Sequence, residues 1–82
     1  MEASEYFWIN NGPIVGSLEE LPNVIETISE EQFKHHVNSE KNDFATWLDS
    51  EHDEKHLALE LVKSKDKKEN ELIILRSIIK RL

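Results

Sequence analysis

A short polar run at residues 38–41 constrains the fold more strongly than any other part of this sequence. On both sides of it, apolar residues recur three or four positions apart, the spacing that places side chains on one face of a helix. These apolar residues are Phe33, Val37, Phe44, Trp47 and Leu48. The sequence therefore predicts two short helices, at about 30–37 and 43–50, that meet at a bend and bury a shared face.

Both predicted helices carry signals for their first turn. Ser29 and Gln32 form a capping-box pattern, in which each side chain binds the backbone N–H of the other residue. Asn42 or Asp43 can cap the second helix by accepting a hydrogen bond from an unpaired backbone N–H. His36 lies near the end of the first helix, where the helix dipole and an aspartate partner favour the charged ring. We therefore predict a His36–Asp43 contact that pins the two helices together.

The residues at this bend form the candidate site, which we interpret first as a structural corner. Its members are His36, Asn38, Asn42, Asp43 and Trp47. The alternative is a small-ligand site that uses the imidazole, the two amides and the carboxylate of the same corner. Polar clusters of this kind occur both in functional sites and in purely structural pairs, so the sequence leaves both interpretations open.

The corner also contains a recognisable motif. His-Val-Asn at residues 36–38 is followed by Glu40, by Asn-Asp-Phe-Ala at residues 42–45 and by Trp47. This pattern is similar to the H-V-N and N-D-F-A-x-W motif of a small helical domain family of unknown function, which occurs mainly in archaea. The resemblance implies a helical fold, and it brings no established activity with it.

The resemblance extends over roughly residues 5–62. The family's aromatic stretch, Asn-Gly pair and leucine-rich helix correspond to residues 6–8, 11–12 and 17–21. Residues 49–53 depart from the family, whose members have a hydrophobic-Gly-Asp step after the tryptophan helix. This departure leaves the direction of the following helix open.

Length and composition limit the chain to one small domain. Its 82 residues include no cysteine, which excludes a disulfide framework and a thiolate metal site. No apolar run approaches the roughly 20 residues of a membrane span, and the acidic N-terminus lacks the positive start of a signal peptide. We therefore expect a cytoplasmic protein with an all-α fold, a compact bundle of four to five short helices with an extended N-terminal arm.

Turn residues and apolar spacing set the predicted order of the elements. Asn11 and Gly12 allow a tiny hairpin as the alternative to an extended arm, and Trp8 is expected in the core. Ser17 is the expected N-cap of a first turn, and Pro22 is expected to kink the chain after it. The predicted segments are the arm at 1–16, the helical core at 17–62 with its last helix at about 53–62, the linker at 63–68 and the C-terminal helix at 67–82.

The C-terminal helix is apolar on more than one side. Seven of its last eleven residues are apolar, which is more than a single stripe can hold. One interpretation places a protein partner or a second copy of the chain on the outer face, and the other has the arm around Trp8 covering it. The candidate interface consists of Leu72, Leu75, Ile78, Ile79 and Leu82.

Charge is unevenly distributed along the chain. Residues 1–53 hold 12 acidic and 2 basic side chains, whereas residues 54–82 hold 5 acidic and 8 basic ones, and the whole chain has a net charge of −7. We interpret this as self-complementation, in which the basic tail helix covers the acidic half, with a partner surface as the alternative. The basic residues also allow nucleic-acid binding, although the acidic half would repel a phosphate backbone.

No pattern in the sequence marks an enzyme. His52 and His56 have the spacing of two metal ligands on one helix face, but no third ligand is evident. The acidic pairs lack the apolar surroundings that tune a general acid or base, and there is no glycine-rich phosphate loop. We therefore predict no catalytic, cofactor-binding or metal-binding residue and no cofactor.

The predicted function is that of a non-enzymatic protein-interaction or assembly module. Self-association through the C-terminal helix is one form that this function could take. The alternative is a nucleic-acid-binding or regulatory domain that uses the basic C-terminal third. A protein partner or a homodimer is expected ahead of nucleic acid, and no membrane partner is expected.

Overall fold

In the computed structural model, which describes residues 6–82, a two-stranded hairpin precedes five α-helices, and a 3₁₀ turn joins the hairpin to the first helix. The strands are β1 (Phe7–Trp8) and β2 (Ile14–Val15), and the 3₁₀ turn is Leu18–Glu20. The helices are α1 (Leu21–Thr27), α2 (Glu30–His36), α3 (Asp43–His52), α4 (Lys55–Leu61) and α5 (Lys67–Lys80). The prediction of a small all-α domain is confirmed, and the first five residues of the predicted arm lie outside the described part.

The N-terminal arm contains the small antiparallel hairpin rather than a plain extended segment. Its register pairs Phe7 with Val15 and Trp8 with Ile14. Asn11 in the turn adopts a positive φ of 54°, a conformation that asparagine tolerates better than most residues. An isolated hairpin is barely stable in water. This one is stabilised because Phe7 and Val15 are buried in the core of the domain.

The two faces of the hairpin lie in different environments. Successive residues of a strand point to opposite faces, so Phe7 and Ile9 turn inward while Trp8 turns outward. Trp8 is 60% exposed, and the prediction that it packs in the core is wrong. Phe7 takes that place instead, with its ring stacked on the ring of Phe44 at a centroid distance of 4.8 Å.

The 3₁₀ turn runs directly into α1. Pro22 lies at the start of α1, where its missing N–H breaks no helical hydrogen bond. Ser17 occupies the predicted N-cap position of the 3₁₀ turn, but its hydroxyl donates to the carboxylate of Glu20 at 3.2 Å and accepts no helix N–H. The same carboxylate accepts the N–H of Gly16 at 3.1 Å. Glu20, rather than Ser17, therefore closes this turn.

The end of α3 sets the direction of α4. Asp53 follows the last residue of α3 and adopts the left-handed conformation, with φ 53° and ψ 41°. Many helices end in this conformation, and glycine is the residue that most often adopts it. The backbone N–H groups of Asp53 and Glu54 both donate to the carbonyl of Leu48, that of Glu54 at 2.9 Å, and together they close the last turn of α3. The chain therefore turns sharply despite its departure from the resembled family, and α4 packs back on α3.

The core lies where α5 packs against α1 and α4, and where α3 packs against α4. The five apolar residues predicted to share the corner's inner face are all buried. Ile25 from α1, Leu61 from α4 and Ile74 from α5 are also fully buried, so the core draws on every helix. No helix within residues 6–82 is both long enough and apolar enough to cross a membrane.

Candidate functional site

The predicted corner begins at the first turn of α2. Ser29 Oγ accepts the N–H of Gln32 at 3.0 Å, and Gln32 Oε1 accepts the N–H of Ser29 at 2.8 Å, which completes the predicted capping box. The side-chain amide of Gln32 also donates to the carbonyls of Asn10 and Asn11 at 3.1 and 3.0 Å. One side chain therefore starts α2 and also holds the hairpin turn against it.

His36 is buried at the end of α2, between the hairpin and α3. Its Nδ1 lies 3.0 Å from Asp43 Oδ2, and this is the predicted contact. Its Nε2 accepts the backbone N–H of Asn10 at 3.0 Å. A ring nitrogen that accepts a hydrogen bond carries no proton, so Nδ1–H is the donor to Asp43. A ring with its proton on Nδ1 satisfies both contacts.

The polar turn between α2 and α3 is closed by its own side chains. Asn38 Oδ1 accepts the N–H groups of Glu40 and Lys41 at 2.8 and 3.0 Å, and the N–H of Asn38 donates to the Lys41 carbonyl at 2.9 Å. Lys41 Nζ lies 3.0 Å from Asp43 Oδ2, the oxygen that His36 also contacts. Asp43 therefore joins the turn to the end of α2.

Asn42 is buried and joins three helix ends. Its Oδ1 accepts the N–H of Ala45 at 3.0 Å and so caps α3, as one of the two predicted caps. Its Nδ2 donates to Oδ1 of the fully buried Asn70 at 3.0 Å. Asn70 in turn donates to the carbonyls of Ser64 and Asp66 at 3.0 and 3.1 Å. The two amides thus link the start of α3 to the segment between α4 and α5.

Sequence reasoning missed Asn70, although a signal for it exists. Asn70 lies four residues before Ile74, so the two side chains share one face of α5. Both are fully buried, which shows that this face packs on the core. A polar residue at a core position requires hydrogen-bond partners inside the protein. Its particular partner, Asn42, lies 28 positions away and cannot be read from local spacing.

Trp47 is buried beside the hairpin and the end of α3. Its ring lies 5.8 Å from the Phe7 ring and 4.4 Å from the His52 ring, measured between centroids. Over residues 6–82, neither Trp47 Nε1 nor His52 Nε2 has a hydrogen-bond partner. Trp47 therefore contributes apolar contact area and an aromatic neighbour for His52.

The spacing of His52 and His56 does not place them on one helix. His52 is the last residue of α3, and His56 lies in the first turn of α4 after the left-handed turn at Asp53. His52 packs on Trp47, whereas His56 is exposed. In the described part of the chain, no group of three or more histidine, aspartate or glutamate residues could hold a metal ion.

The corner uses its polar atoms internally. A depression of about 130 Å³ beside the turn is lined in part by Asn38 and Asn42, but the side-chain oxygen of each already accepts backbone N–H groups. Both ring nitrogens of His36 are also engaged. This arrangement favours the structural interpretation of the corner over the small-ligand alternative.

The outer face of α5 holds the exposed residues of the candidate interface. Leu75 is 38% exposed and Ile79 is 58% exposed, while Ile78 packs against the core and Leu72 is half-buried. The helix ends at Lys80, but the N–H of Leu82 donates to the Ile79 carbonyl at 3.1 Å and keeps a last turn. The described part of the arm, residues 6–16, leaves Leu75 and Ile79 exposed. We call this face the α5 stripe, and its residues are Leu72, Leu75, Ile79 and Leu82.

A groove of about 420 Å³ lies between α4 and α5, and an ion pair closes one end of it. Arg81 Nη1 donates to Glu54 Oε2 at 2.7 Å, and Nη2 donates to Oε1. The hydrogen bond from Arg81 and its positive charge lower the pKa of the Glu54 carboxyl, although partial burial opposes the change. The same hydrogen bond raises the pKa of Arg81. The pair fixes the end of α5 against the start of α4.

Within residues 6–82, the salt bridges of the basic C-terminal third stay inside that third. Lys63, Lys68 and Arg81 pair with carboxylates of the same third, at Glu60, Glu71 and Glu54. Lys67 Nζ reaches the acidic half, where it donates a hydrogen bond to the backbone carbonyl of Glu26 at 3.1 Å and not to a carboxylate. α5 nevertheless packs on α1 of the acidic half, and the charge of Glu19 helps to raise the pKa of Arg81. The two halves are therefore joined by helix packing rather than by salt bridges among residues 6–82.

No protein-family model, curated protein or solved structure matches this chain. The resemblance of residues 36–47 to the archaeal helical family therefore stays a prediction, and the geometry described above is the basis for any functional conclusion.

Proposed function

We propose that this domain is a non-enzymatic assembly module that self-associates through the α5 stripe. The observation that carries the proposal is the exposure of Leu75 and Ile79 on a helix whose opposite side is packed into the core. The stripe follows the heptad spacing i, i+3, i+7 and i+10, which forms a continuous seam for contact with another helix. Contiguous exposed apolar patches on small domains are typical of interaction sites.

The corner supports the proposal indirectly. Its histidine, amides and carboxylate form hydrogen bonds with one another and with the backbone, which favours a structural role for the corner. Among the features described above, the α5 stripe is therefore the part of the candidate set that remains available to a partner.

The basic C-terminal third supports nucleic-acid binding less well. Lys63, Lys68 and Arg81 pair with carboxylates, and Lys67 donates to a backbone carbonyl. Among residues 6–82, the remaining basic side chains of this third have no such partner; they are Lys55, Lys65, Arg76 and Lys80. A strong electrostatic footprint for a phosphate backbone needs more free cations on one surface. Salt-dependent binding to single- or double-stranded nucleic acid at low ionic strength would favour this alternative.

Sedimentation equilibrium over a wide concentration range tests the proposal. We expect mass to rise with concentration in the wild type and Ile79→Asp to abolish that rise, because a carboxylate on the seam would be desolvated on association. Leu59→Asp is the matched control, since Leu59 is 53% exposed but lies on α4. A wild type that stays monomeric at the highest concentration, or equal effects of the two substitutions, would contradict the proposal.

A further inference from the structure

The outer face of the hairpin is a second exposed apolar surface. Trp8 and Ile14 are directly opposite in the register and are 60% and 48% exposed. Tyr6 lies two residues before Trp8 and is 50% exposed, and its ring lies over Gly16, where an added Cβ would be 3.2 Å from Tyr6 Cε1. We call this surface the hairpin patch, and its residues are Tyr6, Trp8 and Ile14.

The hairpin patch is held firmly from behind. Phe7 and Val15, on the inner face of the same two strands, are buried, and Gln32 binds the turn through two backbone carbonyls. The exposed side chains are therefore presented on a fixed platform. A rigid aromatic and aliphatic cluster of this kind is typical of residues that dominate the free energy of a protein interface.

The two apolar surfaces differ in their electrostatic surroundings. The only charged residues between Tyr6 and Leu21 are Glu19 and Glu20, and residues 1–53 are strongly acidic as a whole. Arg76 follows Leu72 by four residues, so it flanks the α5 stripe, and it has no carboxylate partner among residues 6–82. Lys68 is paired with Glu71 at 3.3 Å, but α5 as a whole carries four basic and two acidic side chains. Two α5 stripes in contact would place like charges together, whereas a stripe on the hairpin patch places opposite charges together.

We propose that the α5 stripe of one copy docks on the hairpin patch of a second copy. The inference rests on the self-association proposed above and names the surface that receives the stripe. Apolar contact supplies the attraction, and the opposite charges of the two regions select this pairing over stripe against stripe.

Salt dependence separates the two pairings. Raising NaCl from about 0.05 to about 0.5 M screens charges beyond a few ångströms. Stripe-on-patch association should weaken several-fold over this range, whereas stripe-on-stripe association should strengthen. Arg76→Glu should likewise weaken the proposed contact, and Lys65→Glu, in the segment between α4 and α5, is its matched control. Association that strengthens with salt would overturn the inference and leave the self-association intact.

Substitution at the patch gives an independent test. Trp8→Thr and Ile14→Thr keep strand-forming residues at exposed positions, so the fold should persist, and each should weaken association about ten-fold. In the wild type, acrylamide quenching of tryptophan fluorescence should decrease as the protein concentration rises, because docking covers Trp8. The change reports on Trp8, since Trp47 is already buried in the monomer. If Ile79→Asp abolishes association while Trp8→Thr and the quenching of Trp8 show no change, the patch is not the docking surface. A wild type that does not associate overturns both proposals.

Discussion

Replacing Asn42 with alanine should destabilise the domain far more than the loss of an ordinary helix cap. The N-cap hydrogen bond, in which Asn42 Oδ1 accepts the Ala45 N–H, contributes about 1 kcal/mol to the stability of the domain. The substitution also leaves the side-chain oxygen of the fully buried Asn70 without its donor at 3.0 Å. An unsatisfied buried polar group costs about 1–3 kcal/mol. We therefore expect Asn42→Ala to lower the free energy of unfolding by about 2–4 kcal/mol.

Asp66→Ala supplies the matched control. Asp66 caps α5 by accepting the N–H of Glu69 at 2.8 Å, but it is exposed and its carboxylate binds no buried side chain. Its loss should cost only about 1 kcal/mol. Urea unfolding, followed by far-UV circular dichroism, measures both free energies on the same scale.

A double-mutant cycle isolates the amide pair. Asn70→Ala and Asn42→Ala each break the same hydrogen bond, so the double mutant should lose less than the sum of the two, by about 1 kcal/mol or more. If Asn42→Ala costs no more than Asp66→Ala, and the cycle shows additivity, the Asn42–Asn70 bond does not stabilise the domain and the reasoning fails.

Three further predictions concern the turns and the ion pair. Asp53→Gly should raise the free energy of unfolding by about 1 kcal/mol, because glycine adopts the left-handed conformation without strain, and Asp53→Ala should lower it, as thermal unfolding would show. Gly12→Ala should destabilise the domain by about 1–3 kcal/mol in urea unfolding, because its Cβ would lie 2.7 Å from Ile9 Cγ2. Gly16→Ala should be nearly neutral in the same assay, because its Cβ would meet the exposed Tyr6 ring at 3.2 Å and Glu20 Oε2 at an ordinary 3.8 Å. Because the pKa of Glu54 is lowered in the folded state, its pair with Arg81 stabilises fully above the unfolded value near 4.5 and is lost as pH falls through the folded value. Glu54→Gln should therefore cost at most about 1 kcal/mol at neutral pH and nothing in strong acid, in unfolding curves compared at the two pH values.

Local signals predicted the helices well. The capping box at Ser29 and Gln32, the cap at Asn42 and the inward face of Phe44, Trp47 and Leu48 all depend on residues within one or two turns of each other. Spacing along a helix fixes which side chains share a face, so these features follow directly from the sequence.

The hairpin shows where such reasoning ends. Alternation along residues 6–9 divides the side chains into two sets, but both sets are apolar, and spacing cannot decide which set faces the core. The contact of Phe7 with Phe44 decides it, and that contact joins residues far apart in the chain. His36 presents the same limit, because its second partner is the backbone N–H of Asn10, which carries no side-chain signal.

The amide pair at the meeting point of three helix ends has a consequence for how the chain acquires its structure. Asn42 Nδ2 lies 3.5 Å from the Leu61 carbonyl at the end of α4, and it gains its shorter hydrogen bond, to Asn70 Oδ1 at 3.0 Å, only when Asn70 has been synthesised and α5 has docked. Shorter nascent chains have only the longer contact with Leu61 and lack the helix that packs on α1 and α4, so we expect them to remain open on the ribosome. Folding of this domain then becomes a single late event, and a nick between α4 and α5 should separate two pieces that have no stable structure apart.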